Sequence, residues 1–192
     1  MSPSSVRNLR IFTTVSSIWA IIFGLIGPFY VVYVERLSGG MEKLGIAFSI
    51  MVLLQSLTSY LAGRFSDKLG RRPFLLITAY ADAVILLAYT AIHETYQLYL
   101  LQAMLGISNG VGDTVSTSLL GDLTVRGKRG SAVGKFNAIV GVSSAAGLSL
   151  GGYMVKFYGL KSLFYVASLV VALSTILLFF IEEDKEEAEQ PD

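Results

Sequence analysis

Six stretches of this chain, 11–34, 44–62, 74–92, 98–120, 131–155 and 163–181, each run for 19 or more residues with at most one charge. A helix needs about 20 largely apolar residues to cross the hydrocarbon layer of a bilayer. Lipid offers no partner to a bare N–H or C=O, so a run of this length must satisfy its own backbone, and an α-helix does so. The expected fold is therefore an all-α membrane protein with six transmembrane helices. Composition agrees: mean hydropathy is +0.62, and 15% of residues are charged, against roughly 25% in soluble domains. There is no cysteine, which excludes disulfides and thiolate metal sites. The first run is too long for a signal-peptide core and lacks a cleavage site, so it is read as an anchor.

Short loops make consecutive helices antiparallel neighbours. Lys and Arg then set the orientation. Arg7, Arg10, Arg64, Lys68, Arg71, Arg72, Arg126, Lys128 and Arg129 fall on one side; Arg36, Lys43, Lys156 and Lys161 fall on the other. Nine against four places residues 1–10 as a cytoplasmic N-tail, with both termini cytoplasmic. The acid-rich segment 182–192, opposed only by Lys185, reads as a solvated tail or linker.

An internal repeat is visible in three glycine pairs, Gly45 and Gly134, Gly63 and Gly152, Gly70 and Gly159, each 89 residues apart. With three helices per unit, the two units lie inverted in the membrane, a pattern common in secondary transporters.

The most specific stretch is Gly63-Arg64-Phe65-Ser66-Asp67-Lys68-Leu69-Gly70-Arg71-Arg72. Orientation needs only the cations; an acid between two glycines at this spacing serves something else. Gly63 suits close helix packing and Gly70 a tight reversal. Asp67 can cap a helix N-terminus or pair with Arg71. The stretch resembles the signature loop of the major facilitator superfamily, Gly-x-Leu-Ala-Asp-Arg-x-Gly-Arg-Arg/Lys, with departures at Phe65, Ser66 and Lys68. The resemblance implies that Asp67, Lys68, Arg71 and Arg72 latch the cytoplasmic side in one state of alternating access. It also implies that part of this latch reaches a second six-helix half. Asp122, beside Arg126 at the end of helix four, is a further partner for it.

Two weaker family motifs are altered. Helix four of many members begins with an arginine followed by glycines; here the register gives Gln102, Gly106 and Gly110. That arginine is associated with proton coupling. Helix five of antiporters ends Gly-Pro-x-x-Gly-Gly; here Gly147-Leu148-Ser149-Leu150-Gly151-Gly152 keeps the close-packing glycines and lacks the proline.

Polar groups inside spans are functional candidates. Gln102, Gly106, Asn109, Asp113 and Ser116 recur at helical spacing on one face of helix four, a stripe expected to face a water-filled cavity. Asp113 stands in it as a cation or proton site; Asn109 serves either the pathway or helix packing. Asn137, Gly141 and Ser144 form a shorter stripe on helix five, suited to packing or to the pathway. Gly24, Gly27 and Pro28 suggest a kink in helix one, with Tyr30 and Tyr33 as interfacial anchors or substrate contacts. Trp19 is expected to fill space, and His93 to lie in a loop. Asp82, mid-helix three, either pairs inward or reaches toward water.

Gly110-Val111-Gly112-Asp113 also matches the Gly-x-Gly-Asp of intramembrane aspartyl proteases, with Asp82 as a second carboxylate. That reading leaves the charged hairpin unexplained, and helix one carries no partner acid. A non-transporting scaffold is a further alternative. The expectation taken forward is one half of a secondary transporter working by alternating access, not an enzyme. Its partners would be a small-molecule substrate, cationic or amphipathic, a coupling ion (proton or sodium), membrane lipid, and a second copy or second half. No cofactor and no nucleic acid are expected, and a plasma membrane (bacterial inner membrane) location is.

Overall fold

The computed structural model describes residues 3–181, so the acidic segment 182–192 lies outside the described residues. Six helices follow one another: α1 (Pro3–Ser38), α2 (Met41–Leu69), α3 (Arg72–Tyr89), α4 (Thr95–Asp122), α5 (Arg129–Tyr158) and α6 (Leu160–Thr175). Short 3-10 turns cover Arg126–Lys128 and Ile176–Phe180. Among the described residues five helical segments are long and apolar enough to cross a membrane, α6 counting together with the 3-10 turn that follows it; α4 is long enough at 28 residues, but its middle is too polar.

The helices run past the expected spans. The described part of the 1–10 tail is already helical, because a proline at the first helical turn gives up no hydrogen bond. Likewise residues 63–69 of the charged stretch continue α2, and the reversal waits for Gly70. α6 gives way to a 3-10 turn where the Ser174 and Thr175 hydroxyls both donate to the Val171 carbonyl. Trp19 Nε1 donates to Ser174 Oγ at 2.9 Å, so this indole ties α1 to α6 and does more than fill space.

The helix pairings obey the repeat. α1 lies along α5 and α2 along α4, while α3 pairs with α6; α3 also meets α4 as α6 meets α1. Exchanging the first three helices for the last three maps α1–α5 onto α2–α4 and α3–α4 onto α1–α6, and leaves α3–α6 in place. The turn glycines repeat as well: Gly70 has φ 88 and ψ 164, Gly159 φ 80 and ψ 169. Only glycine occupies that region without strain.

Lipid tails are as apolar as leucine, so these pairs are held by close packing at small residues. A Cβ at Gly147 would meet the Ile21 carbonyl oxygen at 2.0 Å, and one at Gly151 the Leu25 oxygen at 2.4 Å. Across the repeat, a Cβ at Gly106 would meet the Met51 oxygen at 2.3 Å and one at Gly110 the Gln55 oxygen at 2.4 Å. Gly63 and Gly152 differ from expectation. Their nearest neighbours are only the Thr114 Cγ2 at 3.8 Å and the Phe29 ring at 3.7 Å, so neither is needed for packing within this chain. Gly45, Gly134 and Gly152 are exposed on α2 and α5, while Gly63 is half-buried at the edge of the α2–α4 seam.

The apolar core has two parts. One, at the end away from the charged hairpin, gathers Leu25, Tyr33, Tyr89, Leu98 and Phe164; the other, toward the hairpin, gathers Phe12, Leu75, Val115 and Leu178. Tyr30 and Tyr33 belong to the first part instead of anchoring at a lipid boundary. The Tyr30 and Tyr89 hydroxyls bond at 2.8 Å, and Tyr33 donates to the Tyr89 carbonyl. Phe164 stacks on the Tyr89 ring, meets Tyr33 at a tilt and meets Tyr30 edge-on.

Candidate functional site

At the turn between α2 and α3, Arg71 is the organising cation. Its Nη1 lies 2.6 Å from Asp67 Oδ1, one helical turn back across Gly70. Its Nε donates to Asp122 Oδ2 at 3.2 Å, at the end of α4. The same Nη1 also donates to Ser66 Oγ at 2.8 Å. A planar guanidinium has the forked donors this needs; an ammonium does not. Partial burial lowers the Arg71 pKa, but the hydrogen bonds and negative charge of Asp67 and Asp122 outweigh it and raise the pKa above the ordinary arginine value. Asp67 thus takes the pairing role, and no side chain caps α3.

Ser66, a departure from the family pattern, is fully buried and becomes an acceptor for Arg71. Arg72 turns the other way: its Nη2 donates to the Phe179 carbonyl at 2.6 Å and its guanidinium sits 5.5 Å over the Phe179 ring. Arg64, Phe65 and Lys68 point outward. The Arg126 side chain lies outside the described residues. The neighbouring Arg129 donates to Thr124 Oγ1 and the Gly121 carbonyl, closing the end of α4.

Along α4 the expected stripe divides. Asp113 is exposed, and its Oδ2 accepts from Gln55 Nε2 of α2 at 3.0 Å. Asn109 and Ser116 beside it are half-buried. Gln102 does not face an open cavity: it is fully buried beside Tyr30, without a well-formed hydrogen bond among the described residues. The reason is Gly106, which admits α2 to backbone contact one turn away. On α5, Asn137 and Gly141 are exposed, and only Ser144 packs, against Gly24.

Asp82 turns toward α4 and Ser108, whose hydroxyl donates to the Thr78 carbonyl at 3.2 Å. One Asp82 oxygen is buried without a hydrogen bond among the described residues.

Sequence reasoning missed Gln55, Thr58 and Ser59. Thr58 and Ser59 bond within α2, to Leu54 and Gln55 carbonyls, and also reach the Ile107 and Gly110 carbonyls of α4. The signal was present: four polar residues among positions 55–59 of an apolar run.

Two inverted three-helix units, a polar seam at α2–α4 and a charged cluster closing one end define an inverted-repeat helical membrane protein of the secondary-transporter type. The family model described as Major Facilitator Superfamily matches residues 12–192, and the chain belongs to that family. It is 30% identical to an uncharacterized MFS-type transporter, YitZ, of Bacillus subtilis (strain 168), over 80% of this chain and 94% of that one. It is 32% identical to the multidrug resistance protein MdtG of Citrobacter koseri, over 95% of this chain and 48% of the relative. The corresponding protein of Dickeya zeae is 29% identical over 85% of this chain and 41% of its own length. The chain thus spans less than half of these multidrug resistance relatives. Among solved structures, the human organic anion transporter MFSD10 (TETRAN) superposes with a TM-score of 0.71 at 20% identity, over 94% of this chain and 48% of that one, a likeness of fold.

Proposed function

We propose that this chain is one half of a secondary transporter that carries a small molecule across the membrane by alternating access. Two halves, a second copy or a different six-helix partner, would rock about a central pathway. Asp113 supplies its charged group, with Asn109 and Ser116 on the same helix and Asn137 of α5 as further polar groups of the pathway. The cluster of Asp67, Arg71 and Asp122, joined by the neighbouring cations Lys68, Arg72 and Arg126 of the same two turns, acts as the gate at the cytoplasmic side. One observation supports this most directly: Arg71 joins the last turn of α2 to the last turn of α4, the two helices that Gln55 and Asp113 join further along.

An exposed acid in an otherwise amide- and hydroxyl-lined seam favours a cationic or amphipathic substrate, and it offers a proton or sodium ion a place to couple. The multidrug resistance relatives fit the same direction, outward movement from the cell. Membership of a transporter family points away from the aspartyl protease reading of Asp82 and Asp113.

The test uses the cysteine-free background. Single cysteines at Ser59 and at Ser149 are labelled with a membrane-impermeant maleimide from each side, in the full chain and in Asp67→Asn. Alternating access predicts that the variant shifts labelling of both positions in one direction. Identical labelling in both proteins, with export of a fluorescent cationic dye unchanged, would refute the gate.

A further inference from the structure

At the end opposite the charged hairpin, α1, α5 and α6 border an open cavity of about 380 Å³ whose lining includes Phe29, Val32, Arg36, Val155, Leu160 and Lys161. We propose that this cavity binds the phosphodiester headgroup of an anionic phospholipid, with Arg36 and Lys161 holding the phosphate. This site is independent of the transport pathway: it involves neither α2 nor α4, and none of its lining residues belongs to the polar seam.

Four observations carry the assignment. First, both charged lining residues are cations and none is an acid. Second, Arg36 has no ion pair or hydrogen bond among the described residues, leaving its five donors for a ligand. Lys161 spends one donor on the Thr90 carbonyl at 2.8 Å and keeps two, with its charge unneutralised by a carboxylate. Third, these cations stand on the side that carries few Lys and Arg, so bulk orientation does not require them there. Fourth, the remaining wall is apolar and aromatic (Phe29, Val32, Val155, Leu160), and it continues onto lipid-exposed helix surface that acyl chains can follow. A free inorganic anion would gain nothing from that wall; a lipid gains from both parts. Basic pockets between helices on the cytoplasmic side of membrane proteins bind acidic headgroups, and this cavity offers the same pairing of cations and apolar wall at the opposite end.

The test is native mass spectrometry of the full chain released from nanodiscs made of phosphatidylcholine with one-fifth phosphatidylglycerol. A parallel series follows thermal unfolding on adding phosphatidylglycerol, phosphatidylcholine or inorganic phosphate. The expected result is one retained phosphatidylglycerol per chain and a melting increase with that lipid only. Arg36→Gln or Lys161→Gln each weakens retention about fivefold, and the double variant about twentyfold. Lys43→Gln with Lys156→Gln removes two charges from the same side and leaves retention unchanged. Both target side chains are exposed, so the variants fold, and the far-ultraviolet spectrum verifies it. Equal retention of the zwitterionic lipid, or retention indifferent to the double variant, would overturn the site. A melting increase reproduced by inorganic phosphate alone would overturn the lipid as its ligand.

Discussion

The α1–α5 and α2–α4 seams are images of each other under the internal repeat, and they are built from different chemistry. Both use glycines to bring backbones together, Gly147 and Gly151 in one, Gly106 and Gly110 in the other. The first is backbone against backbone at its middle, where Gly24 lies on Ser144. At the equivalent place in the second, Asp113 accepts a hydrogen bond from Gln55; residues 24 and 113, like 55 and 144, are separated by the repeat interval of 89. Thr58 and Ser59 then reach carbonyls of the facing helix. A duplicated scaffold thus keeps one seam for cohesion and leaves the other free to carry charge. The lesson is that geometry was copied while polarity was not.

Breaking the dry seam is expected to have the largest effect. Gly147→Val would drive a branched side chain into the Ile21 backbone. Overpacking costs about 1–3 kcal/mol and at times more, and here the obstacle is backbone, so the variant should be lost as aggregate in size-exclusion chromatography of the detergent extract.

Next comes the polar seam. Asp113→Asn keeps a partner for Gln55, so the melting temperature should stay within a degree or two, while export of a fluorescent cationic dye is abolished. The matching change across the repeat, Ser144→Ala, should leave both intact. Equal loss of export in the two variants would dissolve the contrast between the seams.

A smaller effect is expected at the cluster that ties α2 to α4. Arg71→Lys retains the charge but loses the fork that reaches Asp67, Ser66 and Asp122 together. Dye export should fall while thermal stability drops by about 1 kcal/mol, the scale of an exposed ion pair.

The smallest contrast lies one residue apart on α5. Gly151→Ala would meet the Leu25 carbonyl, whereas Gly152→Ala meets only ordinary contact with the Phe29 ring. The first should lower the melting temperature measurably; the second should change stability by under about 0.5 kcal/mol. If Gly152→Ala instead abolishes assembly with a second half, that outward face is an interface.

How much of this was legible follows from what each signal depends on. The charged hairpin was readable because Asp67, Gly70 and Arg71 interact across one turn, within the reach of sequence spacing. The inverted repeat was readable from glycines because Gly70 and Gly159 answer to backbone conformation alone. Ser66 was not, since only its burial beside Arg71 turns a small polar residue into an acceptor. Gln102 was assigned to the wrong environment: helical period puts it on a face with Asp113, but Gly106 decides which neighbour covers that face. The Trp19–Ser174 bond joins residues 155 positions apart, and no local pattern encodes it. Gln55 was overlooked because amides and hydroxyls inside an apolar run register as mild interruptions until the facing helix is known.

The paired conformation of Gly70 and Gly159 has a consequence at the level of the gene. Every single-base change in a glycine codon that alters the amino acid installs a residue bearing a Cβ, and at these two turns no such residue is accommodated without strain. A saturation-mutagenesis library selected for folded protein should therefore show two columns empty of every missense variant, one repeat interval apart. The codons for Gly45 and Gly134, which obey the same interval on open helix faces, should stay populated. Duplication left the chain with two copies of one genetic vulnerability, and neither copy can cover for the other.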